Sequence, residues 1–80
     1  MVNWQPTPGS VAVSRVGLEE PPSGVLGAPL LHVHFVKGHT YVYKIPDRSY
    51  FTNFVNAASK GRYYDYVIKK KFHPHIMKYD

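Results

Sequence analysis

The hydrophobic positions of this chain change period along its length, and each change predicts an element. From Ser10 to Leu18 the apolar residues are Val11, Val13, Val16 and Leu18. That alternation predicts a strand with one buried face, and the slip of phase around Ser14 predicts a β-bulge. Leu30 to Val36 alternates more cleanly, with Leu31, Val33 and Phe35 on one face and His32 and His34 on the other. Lys37-Gly38-His39 is the expected turn, because Gly38 can take the positive φ of a short hairpin loop at no steric cost. Thr40 to Ile45 runs back with Tyr41, Tyr43 and Ile45 on one face, and Pro46, which has no N–H to donate, ends the ladder.

Helical spacing follows. Tyr50, Phe51, Phe54, Val55 and Ala58 share one face of a helix whose first turn Asp47 or Ser49 can cap and whose entry Pro46 suits. Ser59-Lys60-Gly61 is expected to break it, with Gly61 in the left-handed conformation. A second helix from Gly61 to Phe72 carries Tyr64, Val67, Ile68 and Phe72 inward and leaves Arg62, Tyr66, Lys69 and Lys70 outside. The expected architecture is α+β (βββαα), a three-stranded antiparallel sheet with two helices packed on one face. Residues 1–9 are expected to form an extended lead-in, 10–72 a single domain with a long Pro/Gly loop over 19–29, and 73–80 a frayed or loosely docked tail beyond Pro74.

Composition narrows the function. Eighty residues allow one small domain, and a 44% hydrophobic, 15% aromatic content is too apolar for a disordered basic tail. No cysteine is present, so neither disulfides nor a Cys-type zinc site can staple the fold, and a reducing compartment is favoured. With no apolar run of membrane-spanning length and no signal-peptide pattern, the expected location is the cytoplasm.

The net charge of +5 is uneven. Up to Val36 the chain has one basic residue, Arg15, against Glu19 and Glu20; from Lys37 onward nine basic residues face Asp47, Asp65 and Asp80. Such asymmetry is the footprint of a polyanion-binding face, and equally of lysines that keep a small domain soluble.

The interleaved basic and aromatic residues of the second helix supply the candidate site: Lys60, Arg62, Tyr63, Tyr66, Lys69 and Lys70. Cations on one flank neutralise phosphates and tyrosines stack on unpaired bases, whereas lysines in a last helical turn also serve the helix dipole. Tyr41 and Tyr43 can form either a stacking platform or part of the core; Leu31, Phe35 and Ile45 need the same face, which favours core. His32 and His34, with His73 and His75, lack the carboxylate or thiolate company of a metal site and read as ordinary surface polar residues; no metal or cofactor is expected. Glycine-rich phosphate loops and nucleophile elbows are both missing, so catalysis is not expected.

An ordered set of residues resembles the KTSC domain, a family named for its place at the C-terminus of some lysyl-tRNA synthetases and found also as stand-alone bacterial and phage proteins. The resemblance spans Ser10 to Phe72. It rests on Tyr41-x-Tyr43, on Leu31-x-Val33-x-Phe35 with Gly38, on Ile45-Pro46, on Ala58-Ser59-Lys60-Gly61, and on Tyr63-Tyr64, Ile68 and Phe72. Upstream, Ser10 and Val16-Gly17 occupy the positions of the family's serine-rich start and its Val-Gly pair. The chain departs from the pattern in Leu18 where an aromatic is common, in its long 19–29 connection, and in Asp65 where Asn is frequent, which puts phosphate contact at that position in doubt.

The resemblance implies RNA binding, with Tyr41, Tyr43, Ser59 and Gly61 as structural motif residues. The leading expectation is a non-catalytic nucleic-acid-binding module for RNA. The alternative is a small phage- or host-encoded oligomeric interaction protein that sequesters a nucleotide signal or inhibits a host enzyme, with residues 19–29 as an arm or lid. A homo-oligomer and a host-protein partner belong to that second reading.

Overall fold

The structure is a computed structural model; it describes residues 2–7, 10–21 and 27–72, and the backbone of residues 74–79. Among the described residues, five strands form one antiparallel sheet in sequence order: β1 (Asn3–Pro6), β2 (Val13–Glu19), β3 (Leu30–Phe35), β4 (Thr40–Lys44) and β5 (Pro74–Tyr79). Helix α1 (Ser49–Asn56) and a second helix, α2 (residues 60–71), lie between β4 and β5 in the chain. The architecture is α+β, as expected, but the sheet has five strands where the sequence pattern predicts three.

Both additions are edge strands. The segment read as a lead-in pairs with β2, Trp4 opposite Gly17 and Pro6 opposite Arg15. The segment read as a tail pairs with β4, Val42 opposite Ile76 and Tyr43 opposite Pro74. Each is stabilised by a preformed neighbour rather than by an alternation of its own. Their prolines sit where an edge tolerates them, at the end of β1 and at the first residue of β5.

The predicted bulge is present: register shifts between Val13 and Arg15, so Ser14 is the extra residue. Thr7 closes over it, its hydroxyl donating to the Val13 carbonyl at 2.6 Å and its backbone N–H to the Ser14 carbonyl at 3.2 Å. The bulge restores Val16 and Leu18 to the face that Val13 shares, which is why one slip in the pattern still leaves one buried face. Gly38 makes the β3–β4 turn with a φ of 106°.

Both helices pack on one face of the sheet. Val13, Val16, Leu18, Leu31, Val33, Tyr43 and Ile45 meet Phe51 and Phe54 of α1 and Tyr64 and Ile68 of α2. Asp47 organises the start of α1 by accepting the Ser49 backbone N–H at 2.8 Å, and the Ser49 hydroxyl also donates to it. These two bonds hold the Asp47 carboxyl below its usual range.

The break between the helices differs from expectation. Ala57 and Ser59 are extended, with ψ of 138° and 107°, and Gly61 lies inside the first turn of α2 with no positive φ. Ser59 is the N-cap, accepting the Arg62 N–H at 3.4 Å, so an extended link and a serine cap replace a left-handed glycine. Ala58, expected on the buried face of α1, is exposed beyond the end of the helix.

The other face of the sheet carries no helix among the described elements, yet it is not simply a wet surface. Trp4 and Val2 lie against Gly17, where an added Cβ would come within 3.0 Å of Trp4 Cε3. Arg15 stacks on the Trp4 ring at 4.2 Å, and His32 meets it edge-on at 5.8 Å. His32, expected as a surface residue, is 5% exposed and bonds Glu19 at 2.9 Å; His34 bonds the Thr40 hydroxyl at 2.8 Å.

Candidate functional site

Helix α2 carries all six residues singled out in the sequence. Its α-helical turns, Lys60–Tyr63 and Lys69–Lys71, flank a π-helical stretch, Tyr64–Ile68. The inward side is Tyr64 and Ile68, buried, with Val67 and Phe72 half-buried, as the spacing predicts.

The outward side divides the six. Arg62, Tyr66, Lys69 and Lys70 are exposed. Tyr66 retains 65% of its surface, and the Lys70 ammonium lies 5.1 Å from the centre of its ring. Tyr66, Lys69 and Lys70 line an open depression of about 480 Å³ together with Asp65. One carboxylate therefore sits among the cations. The neighbouring Lys71 turns the other way, onto the Tyr50 ring of α1 at 5.5 Å.

Tyr63 and Lys60 do not join this group. Tyr63 is half-buried against Phe54 at 5.1 Å and donates its hydroxyl to the Tyr50 carbonyl at 3.3 Å, and burial raises its pKa. Its ring ties α2 to α1 and is not free to stack on a base. Lys60 is half-buried, donates to the Ala57 carbonyl at 2.7 Å, and stands about 13 Å along the helix axis from Lys69.

The motif residues are built into the fold. Tyr43 is buried and shares a 2.6 Å hydroxyl–hydroxyl hydrogen bond with Tyr64. Burial is the main cause that raises both pKa values. Tyr41 is half-buried, edge-on to Phe35 at 5.5 Å and to Tyr43 at 6.5 Å. Ser59 caps α2, and Gly61 has open space where a Cβ would stand.

Sequence reasoning did not anticipate the apolar end of the sheet. Val11 and Val36 are both exposed there, on segments joined by a 2.9 Å bond from the Val36 N–H to the Ala12 carbonyl. The only available signal was the slip at Ser14, which leaves Val11 outside the strand.

Among the described residues no three His, Cys, Asp or Glu side chains are grouped to hold a metal ion, and no helix is long and apolar enough to cross a membrane.

The KTSC domain model matches residues 28–72, which runs from the start of β3 through both helices. The chain belongs to the KTSC domain family. The crystal structure of a KTSC domain protein from Yersinia pestis superposes with a TM-score of 0.68 at 32% identity, covering 91% of this chain and 93% of that one. No curated protein matches. The KTSC match takes in Tyr41, Tyr43 and the whole of α2, whereas β1, β2 and β5 lie outside it.

Proposed function

We propose that this KTSC domain is a non-catalytic RNA-binding module that uses the exposed flank of α2. The observation that carries the reading is Tyr66, exposed on the helix with Lys70 over its ring and Lys69 beside it. A tyrosine with a free face can stack on an unpaired base, and the adjacent ammonium groups can meet the flanking phosphates. Arg62, one turn earlier, extends the cationic flank. Single-stranded or looped RNA fits better than a duplex, because stacking needs unpaired bases.

Fluorescence anisotropy with a labelled single-stranded RNA tests this. Three cations acting on phosphates give a slope of log affinity against log salt of about −2. Tyr66→Ala removes about 1–3 kcal/mol of stacking, and charge reversal at Lys69 and Lys70 flattens the salt slope. Absence of association at about 50 mM salt defeats the reading.

A further inference from the structure

The end of the sheet opposite the Lys69–Lys70 end of α2 carries a second surface of different chemistry. Val11 is 96% exposed and Val36 59% exposed, and they border a groove of about 470 Å³ lined also by Phe35, Lys37 and His39. Phe35 makes edge-on contacts to Tyr41 at 5.5 Å and Tyr64 at 5.0 Å, so this wall of the groove is packed against the core. Val11 and Ala12 also wall a second depression, of about 270 Å³, whose far side includes Lys60. Among the described residues, no acidic side chain lines either depression.

We infer that this end of the sheet docks an acidic segment of a partner protein, one that places an apolar side chain between Val11 and Val36. Two exposed branched aliphatic residues beside the Phe35 ring make an apolar groove that fits a protein side chain. Lys37 beside the groove, and Lys60 across the adjoining depression with its ammonium on the Ala57 carbonyl, supply charge complementary to carboxylates flanking that side chain.

A second copy of this chain is a poor occupant. Of its described acidic residues, Glu19 faces His32, Glu20 lies 3.5 Å from Arg48, Asp47 is engaged by Ser49, and Asp65 sits among Lys69 and Lys70. None offers a free acidic and apolar segment to a neighbour. The docking surface shares no residue with the proposed RNA flank, so either can stand without the other.

The experiment titrates the full ¹⁵N-labelled chain with a synthetic eight-residue peptide in which Asp and Glu flank a central Leu-Phe pair. Matched peptides replace the Leu-Phe pair with serines or the acids with lysines. Amide shifts are expected at residues 10–12, 35–39 and 58–61, with either control peptide weaker. Val11→Ser combined with Val36→Ser should weaken the acidic peptide roughly tenfold or more, through lost apolar burial. Lys37→Glu should weaken it as well, and both variants should keep the RNA affinity of the parent chain. Because Val11, Val36 and Lys37 are exposed, the variants should retain the parent melting temperature. No binding at about 1 mM peptide overturns the inference, as do shifts scattered away from these residues. RNA-induced shifts at this end, or loss of RNA affinity in the Val11/Val36 variant, overturn it in favour of a nucleic-acid surface.

Discussion

The two faces of the sheet solve burial in different ways. On the helix-covered face, residues from β2, β3 and β4 meet α1 and α2 in one continuous apolar cluster, and its polar atoms are the hydroxyls of Tyr43 and Tyr64, bonded to each other. On the opposite face, His32 is 5% exposed and Val42 fully buried without any described helix above them. There the sheet is dressed from its edge: Trp4 of β1 lies against Gly17, held by Arg15 and met edge-on by His32, while Glu19 bonds the imidazole. The first face depends on apolar volume, the second on close approach and polar partners. Substitutions that remove volume should therefore hurt the first most, and substitutions that add volume the second.

The largest effect is expected from Phe54→Ala. Phe54 is fully buried where α1 meets the sheet, its ring centre 5.1 Å from that of Tyr63 of α2, so its loss opens a cavity between the sheet and the two helices. Truncating a buried phenylalanine costs about 3–5 kcal/mol. For a domain of this size that approaches the whole folding free energy, about 4–12 kcal/mol. Urea denaturation should show the variant largely unfolded or with a sharply lowered midpoint. A loss under about 1 kcal/mol would mean that the helices do not close this face.

On the opposite face the expected break is Gly17→Ala, a gain of one methyl group. The added carbon collides with the Val2 side chain and comes within 3.0 Å of Trp4 Cε3. Val2 is near the start of the chain and can turn aside; Trp4 is sandwiched by Arg15 and cannot shift without giving up that contact. Overpacking of this kind costs about 1–3 kcal/mol. Trp4 is the one tryptophan in the chain, so its fluorescence reports this face alone, and a red shift should accompany the loss. In a Trp4→Ala background the same substitution should cost clearly less. An equal cost in both backgrounds would show that Trp4 does not need the glycine.

That face was also the less legible one in the sequence. The helix-covered side announces itself through Leu31, Val33 and Phe35 and through Tyr64, Val67 and Ile68, because burial against helices demands apolar residues at period 2 or 3.6. The other side is built from His32, Gly17, Thr40 and Arg15, residue types that alternation assigns to solvent, and its cover comes from an edge strand with a single large apolar residue. β5 was hidden for a related reason: an edge strand gains its stability from the backbone of its neighbour, and Pro74 reads as a stop when its role is a strand start. Within the candidate site, spacing alone placed Arg62, Tyr66, Lys69 and Lys70 outward. It could not see that Tyr63 would be drawn to the Tyr50 carbonyl or Lys60 to that of Ala57, since both depend on where α1 ends.

The smallest effect concerns the polar pair inside the apolar face. Tyr43 and Tyr64 each use the other's hydroxyl, so Tyr43→Phe leaves the Tyr64 hydroxyl buried with that bond gone, at a cost of about 1–2 kcal/mol. Replacing both rings' hydroxyls at once should cost less than the sum of the two single changes, because no orphaned group remains. Alkaline titration gives an independent check. Burial raises the pKa of both phenols in the folded chain, so folding favours their neutral forms. Their contribution is full below the unfolded tyrosine value, about pH 10, and is lost as pH rises from there through the folded values. Thermal melts at increasing pH should show the parent chain losing stability above about pH 10, with a shallower decline in the double phenylalanine variant. Equal alkaline slopes for the two chains would mean that the pair is accessible to solvent and that the helix-covered face is less tightly closed than the opposite one.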